Sequence, residues 1–143
     1  MDNNRLTNIH DNFLKSRSID YKSRMRRKKV EKSLLERRYK RIYEQLRGLL
    51  TKTNDKIARM ATIVAVLHHK MPHFFWTGFY RIVDGELIVG PYQGPLACQV
   101  LEKNKGVCWA CVNRKETIIV PDVEKFPGHI ACDPRSKSEI TVP

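Results

Sequence analysis

Long hydrophobic runs are missing from this chain of 143 residues. No stretch approaches the roughly 20 apolar residues that a membrane-crossing helix requires, so a membrane is not an expected partner. The start, MDNNRLTNIHDNF, has no apolar core of the kind a secretory leader carries, and the expected location is cytoplasmic. Cysteine is scarce: four residues are too few for a secreted disulfide scaffold of this size. In a reducing compartment such thiols read as redox-active, metal-binding or buried. Proline and glycine, seven of each, are absent from the first third apart from Gly48.

What the chain does have is positive charge, and it is unevenly placed. Residues 1–50 hold 15 Lys/Arg against 6 Asp/Glu, and residues 51–143 hold 12 against 9. The densest run is RMRRKK, Arg24–Lys29. Such charge suits nucleic acid, anionic lipid or an acidic partner. No base-reading motif or interleaved aromatic accompanies it, so a solvated arm is the favoured reading and nucleic acid is not an expected partner. Residues 1–33 are taken as a basic extension, partly disordered, and 34–143 as one folded domain.

From Leu35 a helical period sets in. Leu35, Tyr39, Ile42, Leu46 and Leu49 step by four and three and form one apolar stripe. Thr53 or Asn54 is expected to cap a second helix, with Asp55 in its first turn. Ile57, Met60, Ala61, Val64 and Leu67 form its buried side, and Pro72 follows its end. Met60 and Met71 read as core fillers, and a metal role for His68 and His69 is not expected. FFWTGFYRIV and ELIVG, joined by Asp84-Gly85, then make a β-hairpin signature. KGVCWACVNRKE reads as a short helix, TIIV as a strand, PDVEKFPGHIACDPRSKS as a long irregular loop and SEITV as the start of another strand. Helices followed by antiparallel strands give an α+β domain. A domain that stops on a strand leaves an open edge, so the C-terminus is expected to be truncated.

The thiols are Cys98 after a Gly-Pro loop, Cys108 and Cys111 at the start of the short helix, and Cys132 in the long loop. Thiols in separate loops suit thiol–disulfide chemistry: one attacks, a sulfenic acid or mixed disulfide forms, and another resolves it. Exposed amides at a helix start favour a thiolate at Cys108, and His129 would do the same for Cys132. A zinc site is the weaker alternative, because the only close pair is the Cys108–Cys111 pair within one helix. Cys111 is read as a small buried hydrophobe. Trp76 and Tyr80, four apart, share one strand face and offer an apolar wall or a piece of core.

FFWTGFYRI, ELIVGPYQGPLAC, KGVC, TIIVPDVEKFPGHIACD and SEITVP together resemble the free methionine-(R)-sulfoxide reductases, a stand-alone branch of the GAF domains, over about Ile57–Pro143. The resemblance implies a six-stranded antiparallel sheet with helices on its back and a ligand pocket on its front. It implies thiol-dependent reduction of free methionine-(R)-sulfoxide, with no bound cofactor and with thioredoxin, thioredoxin reductase and NADPH supplying the electrons. The family's three cysteines correspond to Cys98, Cys108 and Cys132. Cys132 is taken as the nucleophile and Cys98 as its resolving partner, with Cys108 the alternative for either role. Trp76 and Tyr80 would face the substrate's methyl group. Glu139 would hold its ammonium or protonate its oxygen, and the backbone amides of Ile130 and Ala131 its carboxylate. Family members continue past SEITVP with a strand pair and a closing helix, so residues 34–143 are expected to lack those elements. A homodimer is compatible with the resemblance, and a GAF-like module that binds a ligand without chemistry is the alternative function.

Overall fold

The computed structural model describes residues 3–130 and 132–143, and side chains from residue 23 onward. Two compact units make up the chain, Met1–Glu44 and Gln45–Pro143. Helix α1 runs from Asn3 to Leu49, so the apolar period found from Leu35 onward is part of a much longer helix. No proline occurs in this stretch and no glycine before Gly48, and Lys, Arg, Glu and Leu are good helix formers. Along the expected stripe Ile42 is buried and Leu46 half-buried, while Leu35, Tyr39 and Leu49 stay exposed. Near the helix end the Thr51 hydroxyl donates to Gly48 O at 2.9 Å.

Helix α2, Lys56–Lys70, starts one residue later than an Asn54 cap and two later than a Thr53 cap would place it. Asp55 is its N-cap, with extended backbone and Oδ1 accepting Ala58 N–H at 2.7 Å. A carboxylate there satisfies an orphan amide and suits the positive end of the helix dipole. The expected caps serve the approach instead: Thr53 Oγ1 accepts Asp55 N–H, and Asn54 Oδ1 accepts Arg59 Nη2. Burial centres on Val64, with Met60 and Leu67 half-buried, whereas Ile57 and Ala61 remain exposed. Met71 closes the helix, its N–H on Leu67 O, and is fully buried.

Strands β1 (Thr77–Val83) and β2 (Glu86–Gln93) form the expected hairpin. Asp84 and Gly85 both have positive φ, 51° and 81°, as a two-residue turn matched to strand twist requires. Helix α2 packs on both strands. A short strand β3, Val100–Leu101, adds to β2. Helix α3, Gly106–Arg114, carries Cys108 and Cys111 and packs on β4 (Ile118–Val120) and β5 (Glu139–Thr141), which pair antiparallel. Val107, Cys111, Ile118, Val120 and Val123 form the buried cluster there, flanked by Ala110 and Phe126. Trp109, buried, donates its indole N–H to Leu101 O at 3.4 Å and so links α3 to β3.

The strands thus divide into a three-stranded and a two-stranded sheet rather than the one six-stranded sheet implied by the resemblance. Among the described residues no strand pairs with the second edge of β1 or of β5. The long loop after β4 is not wholly irregular: Val123–Lys125 forms one 3-10 turn, started by Asp122 Oδ1 accepting Glu124 N–H. Val123 N–H donates to Lys137 O at 3.1 Å and joins the two ends of the loop. Among the described residues no helix is long and apolar enough to cross a membrane.

Candidate functional site

Three aromatic rings form the floor of the site. Trp76 immediately precedes β1, and its ring stacks on Tyr80 of β1 at 6.0 Å and on Tyr92 of β2 at 5.6 Å. Two glycines make room for the indole. A Cβ at Gly78 would collide with Trp76 and Tyr92, and one at Gly94 would lie 2.6 Å from Phe75 O. The buried Trp76 Nε1–H has no hydrogen-bond partner among the described residues. An orphaned donor in such a place costs about 1–3 kcal/mol unless water or a ligand accepts from it.

Tyr80 connects this floor to the thiols. Its hydroxyl donates to Cys98 O at 2.9 Å. Its pKa is pushed up to about 12, first by burial, then by the charges of Cys108, Glu139 and Tyr92, so it stays protonated at neutral pH. The structure joins Cys98 to Cys132 by a disulfide with Cα atoms 5.8 Å apart. Cys98 is half-buried behind the aromatic floor, and Cys132 is exposed. The FPGH turn carries the chain toward Cys132: His129 N–H donates to Phe126 O, and Gly128 takes φ 71° at the position where a Pro-Gly turn needs it.

Cys108 and Glu139 make a second pair. The thiol donates to Glu139 Oε1 at 3.8 Å, across from α3 to β5. Burial first, then the adjacent carboxylate, pushes the Cys108 pKa up to about 12. The thiolate expected at Cys108 from its place near a helix start is therefore disfavoured, because burial and Glu139 outweigh the helix amides. Burial also raises the Glu139 pKa, partly opposed by His129 and by the thiol's hydrogen bond. A carboxyl raised in this way is suited to donating a proton.

Direct contacts join Trp76, Tyr80, Cys98 and Cys132, and the Cys108–Glu139 pair lies near enough for its charges to raise the Tyr80 pKa. Ile130 is half-buried, its side chain directed at Gly106, and Ala131 lies outside the described residues. A groove of about 570 Å³ between α2 and Gln93, bordered by His68, His69 and Lys70, contains none of these residues. It is open to solvent and no cysteine lines it.

No family model matches the chain. GAF domain-containing protein A of Dictyostelium discoideum is 46% identical over 115 residues, covering 80% of this chain and 72% of that protein. The free methionine-R-sulfoxide reductase of Saccharomyces cerevisiae is 56% identical over 71 residues, 48% of this chain and 39% of that protein. Among solved structures, free methionine-R-sulfoxide reductase from Neisseria meningitidis in complex with its substrate superimposes with a TM-score of 0.69 at 39% identity, covering 73% of this chain and 64% of that chain. The chain belongs to the free methionine-R-sulfoxide reductases of the GAF fold. Members of this family are oxidoreductases.

Within that reductase fold, three features escaped sequence reasoning. Tyr92 completes the aromatic stack, and its cross-strand partner is Gly78, a register that the Asp84-Gly85 turn predicts once a bulge is allowed between Gly78 and Tyr80. The pairing of Cys108 with Glu139 spans 31 residues and left no local signal. Arg135, in the stretch read as loop, lies over the ring of Phe75, in the stretch read as hairpin, its Cζ 4.9 Å from the centroid.

Proposed function

We propose that this chain reduces free methionine-(R)-sulfoxide to methionine through Cys132, with Cys98 as the resolving thiol. The juxtaposition of the two sulfurs beside the Trp76–Tyr80–Tyr92 floor is the observation that carries the reading. In the reduced enzyme the Cys132 thiolate attacks the sulfoxide sulfur. Glu139 gives a proton to the departing oxygen, and the products are methionine and a Cys132 sulfenic acid. The Cys98 thiol condenses with that sulfenic acid, releasing water and forming the disulfide. Thioredoxin takes up the oxidation by disulfide exchange, with electrons from NADPH through thioredoxin reductase. No bound cofactor is needed, and the cytoplasm provides this reductant.

The aromatic floor receives the S-methyl end, and Trp76 Nε1–H is a free donor for an oxygen of the substrate. Tyr80, held protonated and bonded to Cys98 O, fixes the resolving cysteine. The chemistry belongs to residues 34–143, with the basic extension 1–33 outside it. The test is NADPH oxidation coupled through thioredoxin and thioredoxin reductase. Turnover is expected with free methionine-(R)-sulfoxide and not with the same sulfoxide inside a peptide. Ligand binding without turnover and without any change in free-thiol count would replace this reading with a GAF-like binding module.

A further inference from the structure

Both halves of the disulfide are tied to one short aromatic stretch, Phe75–Tyr80. On the Cys98 side the tie is the Tyr80 hydroxyl on Cys98 O, at 2.9 Å. On the Cys132 side it passes through the next three residues. Ser136 N–H donates to Asp133 O at 3.2 Å and closes a turn in which Pro134 sets the second position. Within that turn Asp133 Oδ1 accepts from the Arg135 backbone N–H at 2.9 Å and from its Nε at 3.0 Å, while Oδ2 accepts from Nη2 at 2.7 Å. A guanidinium gripped by one carboxylate along two N–H bonds is fixed in direction. It is directed onto the Phe75 ring, at 4.9 Å from Cζ to the centroid. Phe75 adjoins Trp76, the residue that begins the substrate floor.

We propose that Arg135 is a positioning residue: acting through Asp133 and the Phe75 ring, it holds the Cys132 loop where its sulfur reaches that of Cys98. The proposal builds on the assignment of these two cysteines as the working pair. Freed from the ring, the loop samples more positions, and the effective concentration of one thiol at the other falls. Sequence alone hides this link, since Phe75 and Arg135 are 60 residues apart.

The experiment uses the whole chain equilibrated in glutathione buffers. Oxidised glutathione takes two electrons and two protons from the Cys98 and Cys132 thiols, yielding the disulfide and two reduced glutathiones. Thiol labelling with peptide mass mapping reads the position of that equilibrium. An exposed cation–ring contact together with a bidentate ion pair is worth about a fivefold change in such an equilibrium. Arg135→Ala keeps the backbone N–H that Asp133 accepts, so the turn survives, and it should shift the balance about fivefold toward the dithiol. Phe75→Leu should shift it equally, and the double variant no further than either single one. Arg135→Lys, which keeps a cation over the ring, should recover part of the shift. An Arg135→Ala effect below about 1.5-fold, additive single effects, or no recovery with Lys each overturns the proposal. Failure of the native chain to form the disulfide in the most oxidising buffer does the same. The readout does not depend on turnover. An inactive wild type with the expected shifts would sink the reductase assignment and leave the positioning role intact.

Discussion

Two pairs of thiols in this chain differ in almost everything except the atom. Cys98 and Cys132 come from two loops 34 residues apart and meet in a disulfide beside a row of aromatic rings. Cys108 and Cys111 sit one turn apart on α3, one bonded to a carboxyl and the other at 3% exposure in the core. Burial and a neighbouring negative charge raise the energy of a thiolate at Cys108. The loop pair is brought together by the fold. In the proposed reaction the loop pair works and the CxxC pair does not, although the latter is the closer in sequence.

The sharpest way to break this contrast is to remove one thiol at a time. Cys132→Ser should lower reduction of free methionine-(R)-sulfoxide at least about a thousandfold in the thioredoxin-coupled assay. Cys98→Ser should leave about one product per chain and then stop, with a sulfenic acid trapped by dimedone. Cys111→Ala should keep kcat within about twofold. A Cys111 variant as damaged as the Cys132 variant, at full folding, would move the chemistry to the helix.

Alkylation rates separate the pairs next. Cys132 is exposed, whereas burial and Glu139 push the Cys108 pKa up to about 12. At pH 8 only about one Cys108 in ten thousand is then a thiolate, and iodoacetamide should label reduced Cys132 at least about a hundredfold faster. Glu139→Gln removes the charge and should speed labelling of Cys108 while leaving Cys132 unchanged. Equal rates at all the thiols would remove the physical basis of the contrast.

Cys111 sharpens the comparison from the side of stability. It lies among Val107, Ile118, Val120 and Val123, where a hydroxyl would find no apolar equivalent of the thiol's packing. Cys111→Ser should cost about 1–3 kcal/mol in urea unfolding under reducing conditions, since it buries a polar group with no arranged partner. The same change at Cys132, an exposed residue, should stay within about 0.5 kcal/mol under those conditions.

The contrast also explains what could be read from sequence. The β-hairpin was legible because Asp84-Gly85 dictates a turn that only positive φ angles can make. The family resemblance pointed to Cys98, Cys132, Trp76, Tyr80 and Glu139, which the structure places together. The cap of α2 falls one residue past Asn54 and two past Thr53, because Thr53, Asn54 and Asp55 are all good caps and only the bond to Ala58 N–H selects among them. The state of Cys108 is not legible in sequence because packing sets it, first by burial and then by Glu139 on a strand 31 residues away. Local chemistry shows where a thiol sits along the chain, and only packing decides what surrounds it.

The smallest expected effect concerns the carboxyl that connects the two pairs. The hydrogen bond from the Cys108 thiol opposes the burial that raises the Glu139 pKa. Cys108→Ala takes that bond away, so the Glu139 pKa should rise further. With Glu139 as the proposed acid, the alkaline limb of kcat against pH should move upward with it. The stability linkage has a matching sign. A carboxyl raised on folding contributes stability that is full below its unfolded value and is lost as pH rises through its folded value, and in Cys108→Ala that loss should be larger and finish at higher pH. A downward shift of the rate profile would mean that the thiol assists protonation rather than restrains it. The helix pair would then be a participant in the chemistry of the loops, joined to it through Glu139.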